Sequence, residues 1–401
     1  VKAERIDGTV FDVSCRAVID ATELGDLLPL VGLPYVSGTE SKEDTRERHA
    51  EEHADPSRVQ SFTFPFAVEW CPGEDHTIEK PVDYEKFRDK QPYTFDHWYE
   101  EKKGFLTYRM FKEGHEGTRP FWTYRRLIDA DNFSDPAFRH DVAMINWPGN
   151  DYRRNNIIDV PEASRQRILD EAKRLSLGFL YWLQTEAPRD DGGYGYPELK
   201  LRTDVMGTDD GLSMYPYIRE SRRIKALTRI VESDISAADQ LLARAKHFPD
   251  SVGIGYYMID IHACCGEEDC HSRGLPTKPY QIPLRALIPK VRTNVIAGNK
   301  NIGTTHITNG AYRLHPVEWN IGESAGLLAA YAVEESKFPR EICENPLALR
   351  DFQSIVVRRG IPVEWFIDVP IDDPCFEELH LLSVSGIVTG DPDQLTFEIG
   401  R

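Results

Sequence analysis

The chain lacks a long apolar run, a basic excess and a paired cysteine pattern. No stretch of its 401 residues approaches the length of hydrophobic sequence that crosses a bilayer. A net charge of −18 argues against nucleic acid or an anionic membrane surface as partner, since both repel an acidic surface. The seven cysteines are odd in number and thinly spread, which does not make a disulfide framework. Neither an initiator methionine nor a targeting segment opens the chain, so it reads as beginning inside a domain and its compartment stays open. Oligomeric state is not legible either.

What is present is ordinary for a globular protein: 40% hydrophobic and 28% charged residues, enough chain for two or three domains. Val1 to Cys15 reads as two strands joined at an Asp7-Gly8 turn. Arg16 to Asp20 is a third strand, running into Ala21-Thr22-Glu23-Leu24-Gly25-Asp26. Far downstream, Thr293 to Ala330 carries the most information. It reads as a short strand from Asn294 to Ala297, a turn at Gly298 followed by Asn299, a polar loop, and a helix beginning near His315-Pro316. That helix is crowded with small residues, Gly322, Ser324, Ala325 and Gly326 among them. A helix of this kind packs closely on backbone or on a flat ligand, and its N-terminus favours negative charge.

Between these segments, Ser41 to Arg58 is densely charged and reads as an exposed helix or loop. An aromatic-rich stretch follows, in which Phe62, Phe64 and Phe66 alternate as in a half-buried strand; some of its rings could line a pocket. A long helix is expected from an Asp159 N-cap, with Pro161 just inside, to Thr185. Gly192 to Gly195 reads as a loop. Strands are expected at Ile224–Ile230 and Val252–Ile259.

Several groups could do chemistry. Arg219-Glu220-Ser221-Arg222-Arg223 is the densest cationic cluster; it is either the solvated end of a strand or partly buried, with Glu220 the nearest carboxylate. His306 and the Asp260–His262 pair are the acid–base candidates, because histidine titrates near working pH and an aspartate fixes its tautomer. Asp260 and His262 fall on one side of a strand. His262, Cys264, Cys265, Cys270 and His271 crowd together, but without a CxxC the spacing favours a plain loop over a metal or disulfide, and no metal is expected.

The wording of 293–330 resembles the second flavin-contacting segment of the FAD-dependent oxidoreductases, distantly fumarate-reductase-like. DATELGDL at 20–27 is similar to the first, with Glu23 where the general two-dinucleotide-domain pattern has glycine. The resemblance implies an α/β, Rossmann-like FAD-binding fold in a bacterial protein, cytoplasmic or exported. The GxGxxG fingerprint is missing, so its first βαβ unit is expected upstream. The implied layout is a partial FAD-binding domain at 1–36, an inserted α+β cap at 37–213 as substrate domain, the second part of the FAD domain at 214–335, and an appendage at 336–401. Within the appendage, Trp365 to Phe397 resembles a single S-layer homology repeat.

The resemblance implies FAD as cofactor, contacted by Ala21, Thr22, Glu23, Gly298, Asn299, Gly322, Glu323 and Ala325. It implies hydride transfer between flavin and a small organic substrate with an anionic group. Arg313 and His315 would tune the flavin, although His315 could instead cap backbone groups. Arg219 and Arg222 would bind the anion, and His306 or His262 would move the proton. The competing class is a non-catalytic cell-surface binding protein on a flavoprotein scaffold.

Overall fold

The computed structural model describes residues 2–99, 102–266 and 272–397. They form two units: Val1–Pro56, Glu220–Asp260 and Leu275–Arg401 in the first, Ser57–Arg219 and Ile261–Gly274 in the second.

In the first unit the opening hairpin forms as its turn residues dictate. Lys2–Glu4 pairs antiparallel with Val10–Asp12. Gly8 turns at φ +82°, and the Asp7 carboxylate accepts the Thr9 N–H at 2.9 Å. The next strand, Val18–Asp20, pairs in parallel with Val295–Ala297: Val18 lies opposite Val295, Ile19 opposite Ile296 and Asp20 opposite Ala297. The Gly298 N–H extends the ladder to the Asp20 carbonyl at 2.8 Å. A side chain is excluded at Gly298, where a Cβ would meet Ile19 Cγ2 at 2.5 Å.

The polar loop expected after Gly298 is partly helical. His306–Tyr312 forms a helix, capped by the Thr305 hydroxyl, which accepts the Thr308 N–H at 3.1 Å, and all seven residues are buried. Thr308, Asn309 and Gly310 are poor helix formers, and tertiary burial overrides them. Gly310 is required there, since a Cβ would lie 2.9 Å from the Asp260 backbone. The small-residue helix follows as His315–Glu334, burying Val317, Ile321, Ser324, Ala325 and Leu328 along one stripe. Its Ser324 hydroxyl donates to the Val252 carbonyl at 2.7 Å. The strands expected over 224–230 and 252–259 are shorter, Arg223–Ile224, Ser251–Gly255 and Ile259–Ile261, with single bridges at Ala226 and Ile230.

The second unit is organised on a four-stranded antiparallel sheet in the order Leu199–Leu201, Phe66–Trp70, Val142–Ile145, Arg126–Ile128. The 62–66 aromatics are fully buried, and Pro65 divides them between two strands, Phe62–Thr63 and Phe66–Trp70, so they do not form one half-buried strand. The long helix is Glu162–Thr185, burying Ala172, Leu175, Phe179 and Leu183. Its N-cap is Pro161, not Asp159, which turns the chain at φ +55°. Trp147 anchors an aromatic cluster, with Tyr108 and Phe121 about its ring at 5.0 and 5.1 Å. Gly192 to Gly195 is a loop of positive-φ glycines, closed by a bridge between Pro188 and Tyr194.

Candidate functional site

In the first unit, the C-terminal ends of the two parallel strands meet. Here Asp20 Oδ1 accepts both the Thr22 N–H at 3.0 Å and its hydroxyl at 2.7 Å, and the Thr22 oxygen accepts the Asp26 N–H at 2.7 Å. From the other strand, Asn299 Nδ2 donates to the Thr22 carbonyl at 3.0 Å and Asn301 Nδ2 to the Asp20 carbonyl at 2.9 Å. Two segments 277 residues apart are thus stitched side by side. Ala21, Thr22 and Glu23 stay exposed, whereas Gly298 and Asn299 are buried.

The buried Lys300 ammonium reaches Glu23 at 2.7 Å and Glu318 at 3.4 Å. Burial pushes the Glu318 carboxyl up, and Lys300 and Arg313 oppose that rise. Gly322 faces this edge with its bare Cα, where a Cβ would sit 3.4 Å from the Gly298 carbonyl and meet nothing else. Asp20 Oδ2 is buried without a hydrogen-bond partner among the described residues. An accessible backbone edge, two glycines and a buried acceptor suit a flat, hydroxyl-bearing ligand such as a flavin with its ribityl chain.

The remaining expected residues scatter around this edge. Ala325 is buried on the same helix and Glu323 is exposed. His315 stands exposed at the first turn of that helix. Arg313 is buried and donates to the Asp260 carboxylate and carbonyl, both at 3.0 Å. Arg222 is buried too, holding the Leu24 carbonyl at 2.9 Å and Asp26 at 3.0 Å.

Behind it lies a buried carboxylate network that the sequence hid. Glu40 and Glu47 fall in or beside the charged stretch expected to be exposed, yet they are 7% and 3% exposed. Arg223 pairs with Glu220 and, at 2.9 Å, with Glu40. His306 Nδ1 lies 2.9 Å from Glu220, and its N–H donates to Glu40 at 2.8 Å. Glu47 accepts from the Thr305 hydroxyl at 2.6 Å and the Glu232 N–H at 2.8 Å. Burial above all, with the Glu40 charge adding to it, pushes Glu47 up to about 7.

In the second unit, the carboxylate on His262 Nδ1 is Asp151, at 2.6 Å, where the sequence suggested Asp260. Asp151 also takes Arg219 at 2.9 Å and the Thr63 hydroxyl. Arg219 is fixed further by the Ser61 carbonyl at 3.0 Å and Asn146 at 3.1 Å. Burial alone would raise Asp151, but Arg219, His262 and Thr63 outweigh it and hold the carboxyl well below the usual range. No motif surrounds Asp151, so only the fold reveals this role. A cavity of about 650 Å³ also opens in this unit, lined by Tyr93, Phe95, Tyr108, Arg109, Trp182 and Asp190. In the cysteine-bearing loop, Cys264 is buried and Cys265 half-buried, while Cys270 and His271 lie outside the described residues.

A parallel strand pair whose C-terminal edge is overlain by a glycine-bearing helix is the architecture of α/β cofactor-binding enzymes. The FAD dependent oxidoreductase family model matches residues 1–355, and the chain belongs to that family. It is an FAD-dependent oxidoreductase, and its cofactor is FAD. No curated protein and no solved structure matches the chain. Among the described residues no helix is long and apolar enough to cross a membrane.

Proposed function

We propose that this chain transfers hydride between FAD and a small organic substrate, with the flavin along the edge formed by Ala21–Glu23, Gly298, Asn299 and Gly322. The observation that carries this reading is the in-register parallel pairing of Val18–Asp20 with Val295–Ala297, which delivers both flavin-type segments to one edge. When bound, FAD supplies the two-electron carrier. Asp20 offers its unpartnered Oδ2 to a ligand hydroxyl, and the Lys300 ammonium lies at the same edge, paired with Glu23 and Glu318. In this reading His315, at the exposed start of the 315–334 helix, adjusts the flavin's potential.

For proton transfer we assign His262, oriented by Asp151, and His306, oriented by Glu220. A carboxylate on Nδ1 favours the tautomer with its proton there and makes Nε2 the basic nitrogen. Arg219 and Arg222 are engaged by Asp151 and Asp26, so we assign them to holding these elements instead of clamping a substrate anion. We assign the second unit as the substrate domain, its aromatic-lined cavity offering substrate space.

We read the S-layer-like segment at 365–397 as a packing appendage. Trp365 Nε1 donates to the Tyr280 carbonyl at 3.1 Å, and Gln281 Nε2 to the Val363 carbonyl at 2.9 Å. The test of the cofactor edge is Gly322→Leu, with Gly326→Leu on the same helix as control, since a Cβ at Gly326 meets nothing within 4 Å. The expected result is at least a tenfold loss of bound FAD in the first variant alone, with both proteins folded. Equal FAD content in both would refute the placement.

A further inference from the structure

Away from these groups, the second unit gathers a second set of chemistry-bearing side chains around Cys71. Its Sγ lies within 4.8 Å of a Glu69 oxygen and a His140 nitrogen, which are equally close to each other. The same sulfur forms an equally tight triad with Glu74 and His76. The sheet explains the first triad. Val142 pairs with Glu69, and the Trp70 N–H donates to the Asp141 carbonyl at 3.0 Å, so the ladder continues to put His140 opposite Cys71. Residues opposite each other on an antiparallel pair bring their Cβ atoms to about 5 Å, and Glu69 shares the Cys71 face two residues away.

The turn after Cys71 explains the second triad. The Glu74 N–H returns to the Cys71 carbonyl at 3.2 Å. Gln184, buried in the long helix, holds the His76 carbonyl and the Ile78 N–H at 2.7 and 3.0 Å. The His76 backbone is therefore held in place whatever its ring binds.

Neither the Cys71 thiol nor the His140 ring has a hydrogen-bond or ion-pair partner among the described residues, although the thiol is 3% exposed. His76 Nε2 rests on Glu74 at 2.6 Å. Glu69 is the most engaged member, with Arg202 at 3.1 Å and Lys200 at 3.9 Å. Each triad joins the buried thiol to one imidazole and one carboxylate, a donor set of soft and borderline character. That set matches zinc and not a hard ion such as calcium or magnesium.

We propose that Cys71, His140 and Glu69 bind a zinc-type divalent cation, with solvent completing the tetrahedron. The ion would staple the strand end at Cys71 to the residues that enter the 142–145 strand. Burial, and secondarily the Glu69 and Glu74 charges, push the free thiol up, so loading displaces its proton. The test is independent of the flavin and of any substrate. The full chain, stripped with a chelator, is titrated with Co²⁺, followed by the thiolate-to-cobalt charge-transfer absorption, and competed with Zn²⁺.

The expected result is a band saturating at one equivalent with a proton released as Co²⁺ loads, displacement of the band by Zn²⁺ without further proton release, and a melting temperature about 5–10 °C higher in the loaded protein. Cys71→Ser removes the band, and Cys264→Ser leaves it intact. Since Cys71 is buried, the half-buried His140→Gln provides the second arm: it folds as the parent does and binds at least tenfold more weakly. Absence of a saturable band in the parent would overturn the proposal. So would a band that survives Cys71→Ser, or unchanged affinity in His140→Gln.

Discussion

Both units place a histidine Nδ1 against a buried carboxylate, but they balance charge in opposite ways. Around Asp151 the carboxylate stands alone: it faces Arg219 and the His262 ring, and it stays ionised far below the usual range. Around Glu220 carboxylates are in excess: Glu40 and Glu220 share Arg223, and Glu47 is buried beside Glu40 and driven up to about 7. Burial penalises charge in both places, and the local ratio of cations to carboxylates decides which group yields. An Asp–His pair in the first setting holds a fixed charge that orients its ring. The second setting stores a proton.

The comparison breaks first at Asp151. Asp151→Asn leaves Arg219 buried without its carboxylate and should lower unfolding stability by about 3–5 kcal/mol, read from the urea midpoint. A loss under about 1 kcal/mol would mean that Arg219 rests on Ser61, Thr63 and Asn146 without Asp151.

Glu47 tests the opposite sign. Its folded pKa of about 7 lies above the ordinary 4.5. Below pH 4.5 both folded and unfolded chains hold the proton, and its contribution is fully present. Between 4.5 and 7 only the folded chain keeps the proton, so stability falls as pH rises, and above 7 the loss is complete. The gap corresponds to about 3 kcal/mol. Glu47→Gln should flatten this part of the stability–pH curve, and an unchanged slope in thermal melts across pH 5–7 would remove Glu47 as its source.

Glu220→Gln is expected to cost less than Asp151→Asn, about 1.5–3 kcal/mol, because Arg223 retains Glu40. Equal costs would erase the distinction between the two settings. The smallest effect belongs to His315→Ala. Removing an exposed group from a helix start should lower the flavin midpoint potential by about 10–20 mV while leaving the melting temperature unchanged.

Legibility in the sequence followed how local each signal was. The Asp7-Gly8 hairpin, the strands at 18–20 and 295–297 and the helix from His315 are written in turn chemistry, β-branched residues and small-residue spacing, and they could be found without coordinates. That the two strands pair in parallel was not legible, since nothing in Val18–Asp20 names Val295–Ala297 as its partner. The helix at 306–312 was hidden because its stability comes from Thr305 capping and burial and not from propensity.

Glu40 and Glu47 were hidden for a related reason. They sit in or beside a run of surface-type residues, and only long-range contacts with Arg223 and Thr305 draw them inside. Asp151 carries no pattern at all. Cys71 with His140 was missed because the ligands come from two strands whose register is a tertiary fact.

The most direct test of the flavin edge is the visible spectrum of the purified protein after incubation with FAD and removal of free cofactor. Retained oxidised-flavin bands near about 370 and 450 nm, at one FAD per chain, are the result the parallel pair and its glycines require. A protein that folds, yet returns colourless from that incubation, would contradict the assignment of Ala21–Glu23, Gly298 and Gly322 to the cofactor.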